Sequence, residues 1–217
     1  VPEEKSMMTE IEIYKMLNEA YGQPRWWSDN PYEVMIQAVL VQNTNWASVE
    51  KVTDVIGGKM VPEYILGLET EELENLIRPC GFYKGKAAAI CRLTEWYQKY
   101  EYEVGKVMSM NKTAIRNELL SIKGIGAETA DVILVYAFHK PSFVIDAYTR
   151  RFLNRLGFEF SCDDDIRSFF ECGLEMDYQL YGWYHWLILE HCIEQCRKKP
   201  QCENCVFYME CKNNTVL

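Results

Sequence analysis

Leu119-Leu120-Ser121-Ile122-Lys123-Gly124-Ile125-Gly126-Ala127-Glu128-Thr129-Ala130 is the stretch on which the fold turns. Two glycines bracket an isoleucine between two helical patterns, which predicts a tight turn whose backbone N–H groups open at the start of the second helix. Glycine permits positive φ and close approach of another group, and a helix N-terminus favours an anion. Such a turn suits a DNA phosphate held without base readout. Taken alone, it reads as an ordinary packing joint between helices.

Outward from this turn the patterning is helical almost everywhere. Asn111–Ser121 leads into it and Glu128–Phe138 leads out. Upstream, Met8–Tyr21 carries a 3.6-residue apolar rhythm, Pro31 opens a helix that Asn30 can cap, and a third run from Trp46 ends at Gly57-Gly58. Thr70 is expected to cap a helix reaching Ile77, and Lys84–Tyr100 has the length of a full helix. Downstream come Ala147–Leu156, Asp163–Gly173 and Tyr178–Glu194. Phe143-Val144-Ile145 is the single strand-like run, too short to build a sheet. The expectation is an all-α chain of two lobes, one spanning 30–140 with the glycine turn, the other built from 1–29 and 141–217.

Asp146 lies twenty positions after Gly126, behind three apolar residues and before a helix that opens at Ala147. Its common role at such a junction is an N-cap, though a carboxylate at a helix start can also face a cleft. An enzymatic role needs that carboxyl group to share a crevice with the turn, and fails if it is sealed away.

Net charge is −9, but its distribution is uneven: residues 1–77 carry a net −9, 78–155 a net +6 and 156–217 a net −6. A basic middle is compatible with a local phosphate-binding face and equally with charge fluctuation. Val1–Glu12 is acidic and polar, so no secretory signal is expected, and no apolar run reaches membrane-spanning length. A cytoplasmic location (with the nucleoid, in a bacterium) and a monomeric state are the expectations.

Of nine cysteines, Cys80, Cys91, Cys162, Cys172 and Cys192 are scattered and expected as buried free thiols. The other four, Cys196-x5-Cys202-x2-Cys205-x5-Cys211, fall within 16 residues, as thiolates that converge on a metal centre do. Zinc and an iron–sulfur cluster both suit four thiolates.

Ile122 to Asp131, followed by Val144-Ile145-Asp146, resembles the helix–hairpin–helix and Gly/Pro–Asp signature of the endonuclease III superfamily. The likeness extends from Pro31-Tyr32-Glu33 and Gln42-Asn43-Thr44 to His185-Trp186-Leu187-Ile188-Leu189 and the terminal cysteines. It implies a two-lobed glycosylase fold with a C-terminal iron–sulfur loop. Its partner would be double-stranded DNA carrying a damaged base. Asp146 would be the essential carboxylate, stabilising an oxocarbenium-like sugar or orienting water. Gly124 and Gly126, with Lys123, would grip a phosphate, and hairpin carbonyls would hold a monovalent cation. Cys196, Cys202, Cys205 and Cys211 would ligate a [4Fe–4S] cluster; the first interval is one residue shorter than is common, which leaves Cys192 as a second candidate for the first ligand. Lys198 and Lys199 would meet the DNA backbone.

Bifunctional members carry a lysine just after the hairpin that forms a Schiff base with the sugar; here that position is Glu128. The implied enzyme is monofunctional. Arg25-Trp26-Trp27-Ser28 and Gln42-Asn43-Thr44-Asn45-Trp46 are similar to the 3-methyladenine glycosylase branch, which implies that Trp26, Trp27 and Trp46 sandwich the extruded base. Gln42 or Asn43 would fill the gap in the duplex, with Gln42 favoured by its Gln-x-Thr pattern. An oxidised-pyrimidine or mismatch glycosylase with lyase activity is the neighbouring alternative, and a non-catalytic helix–hairpin–helix DNA-binding protein the alternative of another class.

Overall fold

The computed structural model describes residues 7–212. Among these the regular structure is entirely helical: α1 Glu10–Tyr21, α2 Pro31–Leu40, α3 Trp46–Ile56, α4 Pro62–Gly67, α5 Thr70–Ile77, α6 Tyr83–Gln98, α7 Val104–Met108, α8 Lys112–Ser121, α9 Ala127–Val132, α10 Ala147–Leu156, α11 Asp163–Gly173 and α12 Tyr178–Glu194. α9 continues as π-type turns through Ile133–Ala137. Phe143–Ile145 has no regular structure and pairs with no strand among the described residues. None of these helices is long and apolar enough to cross a membrane.

The chain divides into two compact units, one running Trp27–Lys140 and the other joining the N-terminal segment up to Trp26 with Pro141 onward. In the first, α2 is the central element. Asn30 Oδ1 accepts the N–H groups of Tyr32 and Glu33, Pro31 occupies the first turn, and every residue from Tyr32 to Leu40 except Glu33 is buried. A helix apolar on nearly all sides belongs inside a core. It packs with α6, where Ala87, Ala89, Ile90 and Leu93 are buried, and with the π-type segment. The buried Lys86 ammonium donates to the carbonyls of Leu40 (2.8 Å) and Cys80 (2.7 Å), closing the C-terminal end of α2 with a cation that suits it electrostatically. Burial pushes the Lys86 pKa down.

In the second unit α1, α10, α11 and α12 enclose a core of Ile13, Leu17, Phe152, Leu153, Phe170, Leu187 and Ile188. Phe143 stacks on Phe170 at 3.8 Å between centroids, so the run before Asp146 is anchored by its aromatic side chain. α1 begins with a complete capping box, Thr9 with Glu12.

Two local expectations need correction. α5 is capped by Glu69, whose backbone N–H is bonded by the Glu72 carboxylate at 2.9 Å; Thr70 is already helical. Cys162 and Cys172 are exposed, whereas Cys80 and Cys192 are buried and Cys91 half-buried. The exposed pair lies at the start and on the outer side of α11, where only Ile166 and Phe170 turn inward.

Candidate active site

The glycine turn is held from behind. Ile125 donates to the Ile122 carbonyl at 3.0 Å, and both isoleucines are buried, which leaves Lys123, Gly124, Gly126, Ala127 and Glu128 exposed. Gly124 has φ +103°, and a Cβ there would come within 2.7 Å of the Ala89 side chain on α6; both facts demand glycine. Gly126 differs: its φ is −92° and nothing would obstruct a Cβ. Gly126 stands at the N-cap of α9 with no side-chain cap bond, so its small size keeps the approach to the helix start open rather than permitting a turn. Two side chains support the hairpin, Arg92, which the sequence reading left unassigned, and Gln42, which it favoured for the duplex gap: Arg92 Nη1 donates to the Lys123 carbonyl at 3.0 Å, and Gln42 Nε2 donates to the Gly124 carbonyl at 3.1 Å and to Thr129 Oγ1 at 2.9 Å. Gln42 is therefore engaged with the hairpin, while Asn43, at φ +51°, is exposed.

In the same unit Trp27 meets the rings of Trp46 (5.2 Å) and Tyr136 (5.3 Å) edge-on. The Trp27 Nε1–H donates to Gln37 Oε1 at 2.6 Å, and Gln37 in turn donates to Glu33 and Thr53. This chain fixes the indole plane. Trp46, the first residue of α3, is 39% exposed. Trp26 belongs to the other unit, where it lies edge-on to Tyr178 at 5.8 Å; the structure thus brings two of the three tryptophans into one cluster. Tyr136 completes that cluster and carried no sequence signal beyond its apolar surroundings.

In the second unit Asp146 caps α10: Oδ1 accepts the Thr149 N–H at 2.7 Å. Oδ2 lies 3.5 Å from His185 Nε2 on α12. Burial works to raise the Asp146 pKa, but the His185 imidazole and the Thr149 N–H outweigh it and hold the carboxyl below its ordinary value. The group is therefore a carboxylate at neutral pH. Its side chain is only 8% exposed, far less open than the crevice-facing group that the sequence reading requires, because α10 and α12 close over the cap. His185 was not picked out as a functional residue from sequence; a lone histidine on an apolar helix reads as core.

The terminal cysteines lie around one cavity. Cys196, Cys202, Cys205 and Cys211 line a space of about 30 Å³ together with Phe152, His191 and Phe207, and Cys192 is not among its walls. Arg155 fastens both ends of the loop. Its guanidinium donates to the Cys196 carbonyl (3.0 Å), the Cys196 sulfur (3.1 Å) and the Arg197 and Lys198 carbonyls, and its backbone carbonyl accepts from Cys211 Sγ (3.2 Å) and Lys212 N (2.9 Å). The Cys192 thiol, then His191 and Arg155, hold the Cys196 thiol well below the usual range. Lys198 and Lys199 are exposed. Among the described residues no three of His, Cys, Asp or Glu are gathered closely enough to hold a single metal ion. A zinc ion would sit about 2.3 Å from each sulfur and draw four thiolates into mutual contact. Four cysteines around one cavity, with the Arg155 guanidinium donating to a sulfur, are a donor set of the chemistry that a sulfur-ligated group needs.

The comparisons with known proteins agree on one lineage. Residues 36–168 match the model of the HhH-GPD superfamily base excision DNA repair protein. A Methanocaldococcus jannaschii protein named as a DNA repair glycosylase is 42% identical, over 89% of this chain and 91% of its own. The 3-methyladenine DNA glycosylase of H. pylori, solved with 1,N6-ethenoadenine bound, superposes with a TM-score of 0.74 at 30% identity, covering 84% of this chain and 96% of that one. Endonuclease III trapped as a covalent intermediate on DNA gives a TM-score of 0.77 at 26% identity, covering 95% and 97%. The chain belongs to the HhH-GPD superfamily of base excision DNA repair proteins and is a DNA glycosylase of that family.

Proposed function

We propose that this glycosylase hydrolyses the N-glycosidic bond of an alkylated purine, 3-methyladenine foremost, and leaves the abasic strand uncut. The observation that carries the specificity is the fixed aromatic group of Trp27, Trp46 and Tyr136, with Trp46 partly open to solvent. An N-alkylated purine is cationic, and an indole face favours a cation by ~0.5–2 kcal/mol. Such a base also leaves without strong acid catalysis, which matches a site whose titratable centre is an ionised carboxylate. Likeness to a 3-methyladenine glycosylase that holds the modified base 1,N6-ethenoadenine supports a purine-directed reading.

Asp146 is only 8% exposed as it stands, so this reading requires the cap between α10 and α12 to uncover the carboxylate as the nucleotide enters, after which it would face the anomeric carbon as positive charge develops there. In a poorly solvated setting a fixed carboxylate stabilises that charge far more than it would in water. The bond from C1′ to the base nitrogen breaks, the cationic base takes the electron pair and leaves neutral, and water bonded through its oxygen to C1′ gives up a proton, through the Asp146 carboxylate, to solvent. Glu128 stands where a Schiff-base lysine would be, and a carboxylate forms no imine. Lys86, although buried with a lowered pKa, is committed to two carbonyls. Gly126, Lys123, Lys198 and Lys199 would carry the phosphate contacts, and Asn43, the outward residue of its turn, suits the duplex gap better than the engaged Gln42. Cys196, Cys202, Cys205 and Cys211 would hold a [4Fe–4S] cluster, which when bound would stiffen the loop that presents Lys198 and Lys199.

Incubating the protein with methylated duplex DNA and identifying the released bases tests this reading. Release of 3-methyladenine with intact strands is expected. Release of oxidised pyrimidines, or strand scission abolished by changing one lysine, would assign the protein to the endonuclease III type; specific binding without release would make it a DNA-binding protein alone.

A further inference from the structure

His191 is the one histidine among the walls of the cysteine cavity, and it is 1% exposed. Its ring is held edge-on between Phe152 and Phe207, at 5.2 and 5.1 Å. Each ring nitrogen has a defined neighbour: Nδ1 lies 2.9 Å from the Tyr21 hydroxyl, and Nε2 lies 3.8 Å from Cys205 Sγ. The Cys196 sulfur is a second hydrogen-bonding neighbour of the same imidazole. Neither Tyr21 nor His191 belongs to the thiolate set.

The tautomer follows from the chemistry of the two ends. A thiolate bound to iron only accepts, so a neutral imidazole facing it must carry its proton on Nε2. Nδ1 is then an acceptor, and only the Tyr21 O–H can donate to it. Burial first of all, then the Glu194 carboxylate and the Cys205 sulfur, raise the Tyr21 pKa, so the phenol keeps the proton this arrangement requires. The result is a directed chain, Tyr21 O–H to Nδ1 and Nε2–H to sulfur. An N–H aimed at a ligand sulfur withdraws charge from it, which favours the more reduced state of an iron–sulfur centre and protects the sulfur from loss.

We propose that Tyr21 and His191 form a fixed hydrogen-bond donor chain to the Cys205 sulfur, setting the reduction potential and the lifetime of the iron–sulfur cluster. His191 is the donor and Tyr21 the positioning residue that fixes its tautomer. This rests on the cluster reading of the four cysteines.

Iron and acid-labile sulfide are first measured in the purified full-length wild-type protein; absence of both overturns the cluster reading and this proposal with it. With cluster present, wild type is compared with His191→Phe, which keeps a ring between Phe152 and Phe207, with His191→Gln, which restores an N–H donor, and with Tyr21→Phe. The readouts are the midpoint potential of the one-electron couple and the rate at which visible absorption bleaches in air. His191→Phe is expected to shift the potential negative and bleach about fivefold faster, the scale of one lost hydrogen bond. His191→Gln should restore most of both, and Tyr21→Phe should shift the potential in the same direction by less. Unchanged potential and bleaching in His191→Phe at full iron content would overturn the proposal while leaving the cluster intact. If His191→Phe does not fold, Tyr21→Phe decides alone: a potential equal to wild type overturns it.

Discussion

Gln42 and Gly124 are 82 residues apart in sequence and joined by a hydrogen bond, Nε2 to carbonyl, of 3.1 Å. The bond ties the turn after α2 to the hairpin before α9, and the same amide also reaches Thr129. The residue next to it, Asn43, is exposed in a left-handed conformation that asparagine tolerates better than most. Different roles follow for neighbouring side chains. Gln42→Ala should cost about 1 kcal/mol of stability by removing two hydrogen bonds, read as a lowered midpoint in urea. Asn43→Gly, which the left-handed backbone accepts, should leave stability within about 0.5 kcal/mol and slow excision within duplex DNA while sparing single-stranded substrate. The reverse pattern would return the gap-filling role to Gln42.

Asp146→Asn removes the charge and keeps an acceptor for the Thr149 N–H. Excision should fall by about 10²-fold or more, the scale of losing one electrostatic contact to a transition state, with DNA affinity largely retained in a filter-binding or anisotropy titration. The pH dependence has a fixed sign. The folded pKa lies below the ordinary carboxylate value, so the stability gained from ionised Asp146 is fully present above the unfolded pKa of about 3.9 and is lost as pH falls through the lower folded value. Excision that depends on this carboxylate should therefore hold its rate down to about pH 4. An acid limb centred near pH 6 that disappears in Asp146→Asn would show a neutral, not ionised, group in the ground state.

Trp46 is the exposed member of its cluster and Trp27 the anchored one. Trp46→Ala should lower excision of 3-methyladenine by about tenfold, consistent with loss of a cation–π face, with little change in DNA affinity. Trp27→Phe keeps a ring and removes the donor to Gln37, so it should cost mainly stability, about 1 kcal/mol. Equal losses of binding and excision in Trp46→Ala would make that indole a part of the DNA contact surface and not of the base pocket.

Long helices with polar caps were legible before any coordinates. The extents of α10, α11 and α12 followed from their apolar rhythms, and the cap of α10 from Asp146. α4 and α7, at six and five residues, are too short to show a period, and α5 took Glu69 as its cap because the Glu72 carboxylate reaches back to it. The carboxylate could be located, but its partner could not: His185 is separated by 39 residues and meets Asp146 only because α12 packs on α10. Trp26 and Trp27 are adjacent in sequence yet fall in different units, a division that no composition shift marks. The four cysteines announced themselves by spacing, while Arg155, which binds both ends of their loop, did so only through packing.

Gly124 and Gly126 look equivalent in the sequence and are not. At Gly124 a methyl group meets Ala89 at 2.7 Å on a backbone with φ +103°, so Gly124→Ala combines a strained left-handed residue with a clash in a packed joint and should cost about 2 kcal/mol or more. That loss is read by thermal unfolding, and DNA affinity should fall only as far as the folded fraction does. At Gly126 the backbone is ordinary and the space empty, so Gly126→Ala should unfold like wild type. What it should lose is affinity for DNA, by about tenfold, because a methyl group at the N-cap of α9 stands where a phosphate oxygen approaches the N–H groups. Binding by Gly126→Ala at wild-type strength across a salt series would mean that no phosphate reaches this turn, and the hairpin would then be a packing element alone.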